Sequence, residues 1–153
     1  MLNKSFSLHV SQPIKSYQKT IKVDSDKSIS IRSFLIGAVS HNISEIRNVL
    51  ESDDVLSCIN CLKKLGVKIN KVRAKHYLVY GKGLGSLYAK KNTTLDCGNS
   101  GTTARLLIGL LSTNPDIQVK IKGDHSLNKR NMSKLINLLS EFGATFLPQN
   151  KNS

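Results

Sequence analysis

Tryptophan is missing from these 153 residues, and all aromatics together make up 5%. Acidic side chains are scarce as well: ten Asp and Glu stand against 23 Lys and Arg, giving a net charge of +13 and a pI near 9.9. Such an excess raises nucleic acid or an anionic ligand as partner. The lysines are spread along the chain, with no run longer than two and no aromatic interleaving. That pattern weighs against nucleic acid and favours solvated surface plus a local anion site.

A long apolar run is also lacking. No stretch of about 18 apolar residues exists, so no transmembrane helix is expected. The start, Met1-Leu2-Asn3-Lys4-Ser5, lacks the apolar core of a signal peptide, which points to the cytoplasm. Three cysteines (Cys58, Cys61, Cys97) are too few for a disulfide framework. Cys58 and Cys61 have CxxC spacing, but with Val55, Leu62 and Leu65 they fall on one helical face, where free thiols behave as small hydrophobes. No second CxxC or histidine pair completes a zinc site, and His9, His41, His76 and His125 are scattered, so no metal is implied. A hydrophobic content of 39% and a mean hydropathy of -0.20 suit one ordinary globular core.

What is present is an alternation of strands and helices. Short strands are expected at 5–10 and 18–23 and a helix over 27–39, capped by Ser25 or Asp26. A strand at 43–49 follows, then a helix from Ser52 to Gly66 with Asp53 and Asp54 in its first turn. Strands at 67–72 and 77–79 close this cycle. It then recurs as a strand at 93–96, a helix over 100–112, a strand at 117–121, a helix over 129–142 and a strand at 144–147. Arg32-Ser33-Phe34-Leu35-Ile36-Gly37 echoes the Arg105–Gly109 segment, and Cys61–Ile69 echoes Leu138–Phe146, at offsets of about 73 and 77 residues. A strand–helix–strand–helix–strand unit therefore occurs twice, and the second copy stops in the polar tail Pro148–Ser153.

Both copies carry anion chemistry at the start of a helix. In Leu95-Asp96-Cys97-Gly98-Asn99-Ser100-Gly101-Thr102-Thr103-Ala104-Arg105, a strand gives way to small residues and then to a helix. Glycines permit close approach of backbone to ligand, and the first helical amides lack intrahelical partners. The helix dipole and Arg105 both favour an anion there. In the first copy, Asp26-Lys27-Ser28-Ile29-Ser30-Ile31-Arg32 places a mobile ammonium, hydroxyls and a planar guanidinium in the opening turns of a helix. Ser28 can donate to an oxygen or simply cap the helix. A third cluster, Gly123-Asp124-His125-Ser126-Leu127-Asn128-Lys129-Arg130, adds Arg130 as a candidate.

In order and spacing these three segments resemble the 5-enolpyruvylshikimate-3-phosphate synthase family, over essentially the whole chain but only about the first third of a usual member. The Asn-Ser-Gly-Thr-Thr-x-Arg-Leu segment is the most specific of the three. The resemblance implies an α/β (α+β) fold of repeated βαβαββ units, about two of the usual six being present. Residues 1–19 would then belong to a domain completed by a C-terminal part, and 20–153 would form a partial domain divided near residue 92. It implies transfer of the enolpyruvyl group of phosphoenolpyruvate to the 5-hydroxyl of shikimate 3-phosphate, with release of phosphate, without a cofactor and in proteins that are usually monomeric. Lys27, Ser28 and Arg32 match positions that hold shikimate 3-phosphate, and Lys27 also reaches phosphoenolpyruvate. Asn99, Gly101 and Thr102 match the turn beside phosphoenolpyruvate, with Gly101 as backbone contact. Arg130 matches an arginine that binds the same ligand, and Arg105 matches a characteristic arginine of the family.

The chain departs from the family pattern where Asp24-Ser25 replaces Pro-Gly, where Ile31 stands for a histidine or asparagine, and where Asn131 stands for a proline. The family's acid–base carboxylates and lysine belong to its second domain, so no catalytic residue is assigned here. The expectation is an N-terminal fragment, inactive alone, that needs a complementing C-terminal part. Two other readings stay open: the sister transferase acting on UDP-N-acetylglucosamine, which carries Lys-Asn where this chain has Lys27-Ser28, and a basic nucleic-acid-binding module.

Overall fold

The computed structural model describes residues 7–12, 16, 18 and 20–147. Its first helix, α1 (Lys27–Val39), starts where Asp26, in extended conformation, accepts the Ile29 amide on its carboxylate at 2.7 Å. That bond satisfies one of the orphan donors of the first turn. Strand β1 (Ile43–Arg47) follows and ends at Asn48, which adopts a left-handed φ of 57°. Helix α2 (Asp53–Lys64) has Asp53 and Asp54 in its first turn and Lys63 and Lys64 in its last, both favourable to the dipole. Ser52 occupies its N-cap position but makes no side-chain cap bond; the Ser52 carbonyl instead accepts the Val55 and Leu56 amides. Gly66, at φ 84°, reverses the chain with the Tyr88 ring against it, which leaves no room for a side chain. Strands β2 (Lys68–Arg73) and β3 (His76–Tyr80) form a hairpin, and β3 also pairs with β1, giving an antiparallel sheet of order β1-β3-β2.

The second unit opens with β4 (Thr94–Asp96), helix α3 (Gly101–Leu111) and β5 (Lys120–Lys122), and β4 and β5 pair in parallel. This is a strand–helix–strand crossover, which parallel strands require. A single helical turn, α4 (His125–Asn128), and a last helix, α5 (Ser133–Glu141), complete the described residues.

The core lies where α1, α2 and α3 meet the first sheet. Ile31, Phe34, Val55, Leu62, Leu65, Val79, Leu95 and Leu107 are fully buried there. The Phe34 and Tyr77 rings meet edge to face at 5.3 Å between centroids. Cys58, Cys61 and Cys97 are all free and sealed into this core, as helical spacing implied for the first two. Burial pushes the Cys58 thiol up to about 12, and the neighbouring Cys61 together with burial raises Cys97.

Four expected elements are missing or divided among the described residues. No strand forms at residues 20–23 or at 144–147, nor at 7–10. The remaining residues of the two N-terminal segments that were expected as strands include 5, 6 and 19, outside the described residues, as is the tail 148–153. A strand exists only through pairing, and the described residues of these segments have no strand partner among the described residues; Ile21 and Val23 are accordingly 65% and 75% exposed. The helix expected over 129–142 is two pieces. Asp124 starts α4 early, and Asn131 starts α5 late by accepting the Ser133 amide at 2.7 Å. Between them the chain turns Arg130 toward α3.

Candidate functional site: an anion-binding junction of helix starts

Three helices begin beside one residue, Asp54, in the first turn of α2. Its carboxylate pairs with the Lys27 ammonium at 2.8 Å, and its backbone carbonyl accepts the Thr103 hydroxyl at 3.5 Å. Lys27 opens α1 and Thr103 lies in the first turn of α3, so the two anion-friendly segments of the sequence are tied together through α2. Ser30 adds a further tie, accepting the Leu50 amide on its hydroxyl at 3.0 Å while donating to the Asp26 carbonyl at 2.7 Å. The Lys27–Asp54 pair is half-exposed and therefore contributes little to stability. Its use is to hold the ammonium at the junction.

The start of α3 is built on buried hydroxyls. Ser100 caps the helix, accepting the Thr103 amide at 3.2 Å and donating to the Thr103 hydroxyl at 2.8 Å, with both residues fully buried. This pair fixes the turn that displays Asn99 outward. Gly98, at φ 56°, allows the sharp bend, and its amide is received by the Asp96 carboxylate at 3.0 Å. The Lys122 ammonium at 2.9 Å, aided by the Gly98 amide, holds the Asp96 carboxyl below the usual range.

Gly101 is the closest point of approach. A side-chain carbon there would sit 2.6 Å from Arg130 Nη1 and 2.9 Å from Arg105 Nη1, so two guanidiniums lie over the bare backbone of this glycine. Arg130 donates to the Asn99 amide oxygen at 2.6 Å, and Asn99 in turn donates to the Asp124 carboxylate at 2.7 Å. Among the described residues, Arg32, Arg105 and Arg130 have no carboxylate within 4 Å. Like charges converge at Gly101 without a counter-ion, an arrangement that favours a multiply charged anion.

The eight residues singled out in the sequence are thus distributed in two groups. Asn99, Gly101, Arg105 and Arg130 form one contiguous cluster, with Thr102 next to Gly101 in the same turn. Lys27 joins them through Asp54. Ser28 and Arg32 lie one turn apart on α1, where Arg32 Nη1 folds back onto the Ser28 carbonyl at 3.1 Å. The Gly101 amide donates to the Asn99 carbonyl at 3.0 Å, so the backbone donor expected of this glycine is engaged within the turn. Sequence reasoning passed over Asp54 and Asp124. Asp54 stood out only as a helix-start acid, and Asp124 lay inside a quoted cluster in which only the arginine drew attention.

A repeated α/β scaffold gathers cations and helix beginnings at one junction, an arrangement that suits an anionic ligand. Its first sheet, its parallel crossover and its glycine-rich helix start have a match among known proteins. The chain belongs to the EPSP synthase family: the family model described as EPSP synthase (3-phosphoshikimate 1-carboxyvinyltransferase) matches residues 11–153. Proteins named 3-phosphoshikimate 1-carboxyvinyltransferase from Syntrophomonas wolfei and Desulforamulus reducens are 42% and 40% identical, over 88% and 94% of this chain. The aligned part is 31% and 33% of those relatives, so the chain spans about a third of their length. The solved structure of EPSP synthase from Acinetobacter baumannii superposes with a TM-score of 0.77 at 32% identity, covering 86% of this chain and 29% of that one. No helix of the described residues is long and apolar enough to cross a membrane.

Proposed function

We propose that this chain supplies part of the substrate-binding surface for 3-phosphoshikimate 1-carboxyvinyl transfer: the enolpyruvyl group of phosphoenolpyruvate moves to the 5-hydroxyl of shikimate 3-phosphate, and phosphate leaves. The observation that carries this reading is the pair of guanidiniums, Arg105 and Arg130, lying over Gly101 with no carboxylate of the described residues within 4 Å of either. Lys27, Ser28 and Arg32 hold shikimate 3-phosphate, and Asn99, Gly101, Thr102, Arg105 and Arg130 hold phosphoenolpyruvate.

Both substrates are multiply anionic and repel one another. Converging cations and helix dipoles offset that repulsion, and fixing the two molecules side by side makes the attack effectively unimolecular. Preorganised donors then stabilise the charge that develops as the tetrahedral adduct forms and collapses. The carboxylates near the junction are already occupied: Asp54 by Lys27, Asp96 by Lys122, Asp124 by Asn99. Proton transfer is therefore assigned to groups outside these 153 residues, in the part of the relatives that they do not span. The two units, near 20–92 and from 93 onward, form one partial domain. Apolar side chains face outward on these units: Ile29 and Ile36 on α1 are each 67% exposed, and Phe142 after α5 is 80% exposed. Covering such surface is worth about 25 cal/mol per Å².

Calorimetric titration of the chain with shikimate 3-phosphate and with phosphoenolpyruvate tests the reading. Binding of both is expected, with shikimate 3-phosphate affinity falling at least about tenfold in Lys27→Ala and again in Arg32→Ala, since each removes a charge-assisted contact. Uptake of UDP-N-acetylglucosamine instead, or salt-sensitive binding to random duplex DNA with no response to either phosphate ester, overturns it.

A further inference from the structure

Asp124 does two jobs with two oxygens. Oδ1 accepts the Leu127 amide at 2.8 Å and so begins α4, while Oδ2 accepts Asn99 Nδ2 at 2.7 Å. Its own amide donates to the Gly98 carbonyl at 2.8 Å, which fastens the residue to the glycine-rich turn. The other end of the Asn99 amide receives Arg130 Nη2 at 2.6 Å. Arg130 Nη1 in turn lies against Gly101.

The chemistry of these groups gives the chain of contacts a direction. An asparagine amide has one accepting end and one donating end, and nothing in its shape decides which end faces a neighbour. A carboxylate only accepts and a guanidinium only donates. With Asp124 on one side, the Nδ2 end must face it, and the oxygen is thereby presented to Arg130. Turned over, the amide would set donor against donor at Arg130 and acceptor against acceptor at Asp124. The interposed amide also matters for charge. A carboxylate bonded directly to Arg130 would compete with any anion for the guanidinium, whereas Asn99 holds it through a neutral oxygen and leaves its charge free.

We propose that Asp124 is a positioning residue: acting through Asn99, it fixes the Arg130 guanidinium over Gly101 beside Arg105 while leaving it unpaired for an incoming phosphate-bearing anion. This rests on the anion-binding reading above and adds to it a residue that touches no substrate.

The substitution Asp124→Asn separates positioning from folding, because asparagine caps a helix as well as aspartate does and has the same shape. Its oxygen keeps the Leu127 amide, and its NH2 then faces Asn99 and forces that amide over. In the whole chain, three quantities are measured: the thermal midpoint, the order of the Arg130 side-chain nitrogens by 15N relaxation without ligand, and the affinity for phosphoenolpyruvate and for shikimate 3-phosphate. Asp124→Asn is expected to leave the midpoint and the shikimate 3-phosphate affinity unchanged, to loosen Arg130, and to weaken phosphoenolpyruvate about tenfold. In an Asn99→Ala background the same change should cause no further loss, since the contact it acts through is already gone. An Arg130 as ordered in Asp124→Asn as in the parent chain overturns the proposal. So does a full additional loss in the Asn99→Ala background. If the parent chain takes up no phosphoenolpyruvate, the proposed function falls, and Arg130 order alone then decides whether Asp124 positions it.

Discussion

Residues 27–80 and residues 94–141 share one device, a first helix whose opening amides are capped by a short polar side chain, and otherwise diverge. In the first unit α1 and α2 bury Phe34, Ile31, Val55 and Leu62 against a three-stranded antiparallel sheet. In the second, α3 is well packed by Leu107 and Leu111, but β4 and β5 make only a three-residue parallel pair, and α5 buries none of its residues. The α3 half of the second unit owes its order to the first unit: Thr103 bonds to Asp54, Cys61 to the Asp96 carbonyl, and Lys64 to the Thr94 carbonyl. The other half has no such neighbour. A repeat unit is thus as ordered as the surface it stacks on, and the junction of helix starts sits at the seam where the two units stack.

That contrast can be broken most forcefully from the core. Phe34→Ala should cost about 3–5 kcal/mol in urea unfolding, because it removes a fully buried ring and its contact with Tyr77. Gly101→Ala comes next, and its effect is functional. The added carbon would meet only the ends of two arginine side chains, which can move, so the fold should hold while phosphoenolpyruvate affinity drops about tenfold by calorimetry. A loss of stability equal to that of Phe34→Ala would contradict the placement of both guanidiniums.

A third test uses acid and belongs to the first unit alone. The Tyr77 hydroxyl at 2.6 Å, the Lys71 ammonium at 2.9 Å and the Lys75 amide at 3.1 Å hold the Glu51 carboxyl down to about 2 from its usual 4.5. A carboxyl lowered in the folded state stabilises it fully above about 4.5, and that contribution disappears as pH falls toward 2. Glu51→Gln should therefore flatten the decline of the urea midpoint between those pH values; an unchanged acid profile would show that the cluster does not couple to folding. The smallest effect is expected at the far end of the second unit. Leu138→Ala, on a half-exposed position of α5, should change stability by no more than about 0.5 kcal/mol. A larger loss would mean that α5 is packed in solution.

Much of this was legible beforehand for a simple reason: helix starts and stops are local chemistry. Asp26, Ser100 and Gly66 act within three or four residues of themselves, and the alternation around Ile46 and Val79 shows directly which side is buried. The cysteine face of α2 was equally plain from spacing. The strands expected at 18–23 and 144–147 were not recoverable in this way, because alternation states only that a segment could pair, and pairing needs a partner backbone. The helix expected over 129–142 failed at Arg130 and Asn131, where contacts to Asn99 and Ser133 compete successfully with helical continuation.

The amino-acid order by itself indicated the repeat, the approximate starts of α1, α2 and α3, the buried face of Cys58 and Cys61 and the cationic groups at helix beginnings, since each depends on neighbours within a turn or two. Only the folded chain decided which of those groups meet. Lys27 and Thr103 are distant in sequence and joined by Asp54, while Asn99, Arg105 and Arg130 gather at Gly101 because α3 packs on α2 and Asp124 fastens the last loop to the Gly98 turn. Long-range packing sets those distances, and no local pattern encodes them.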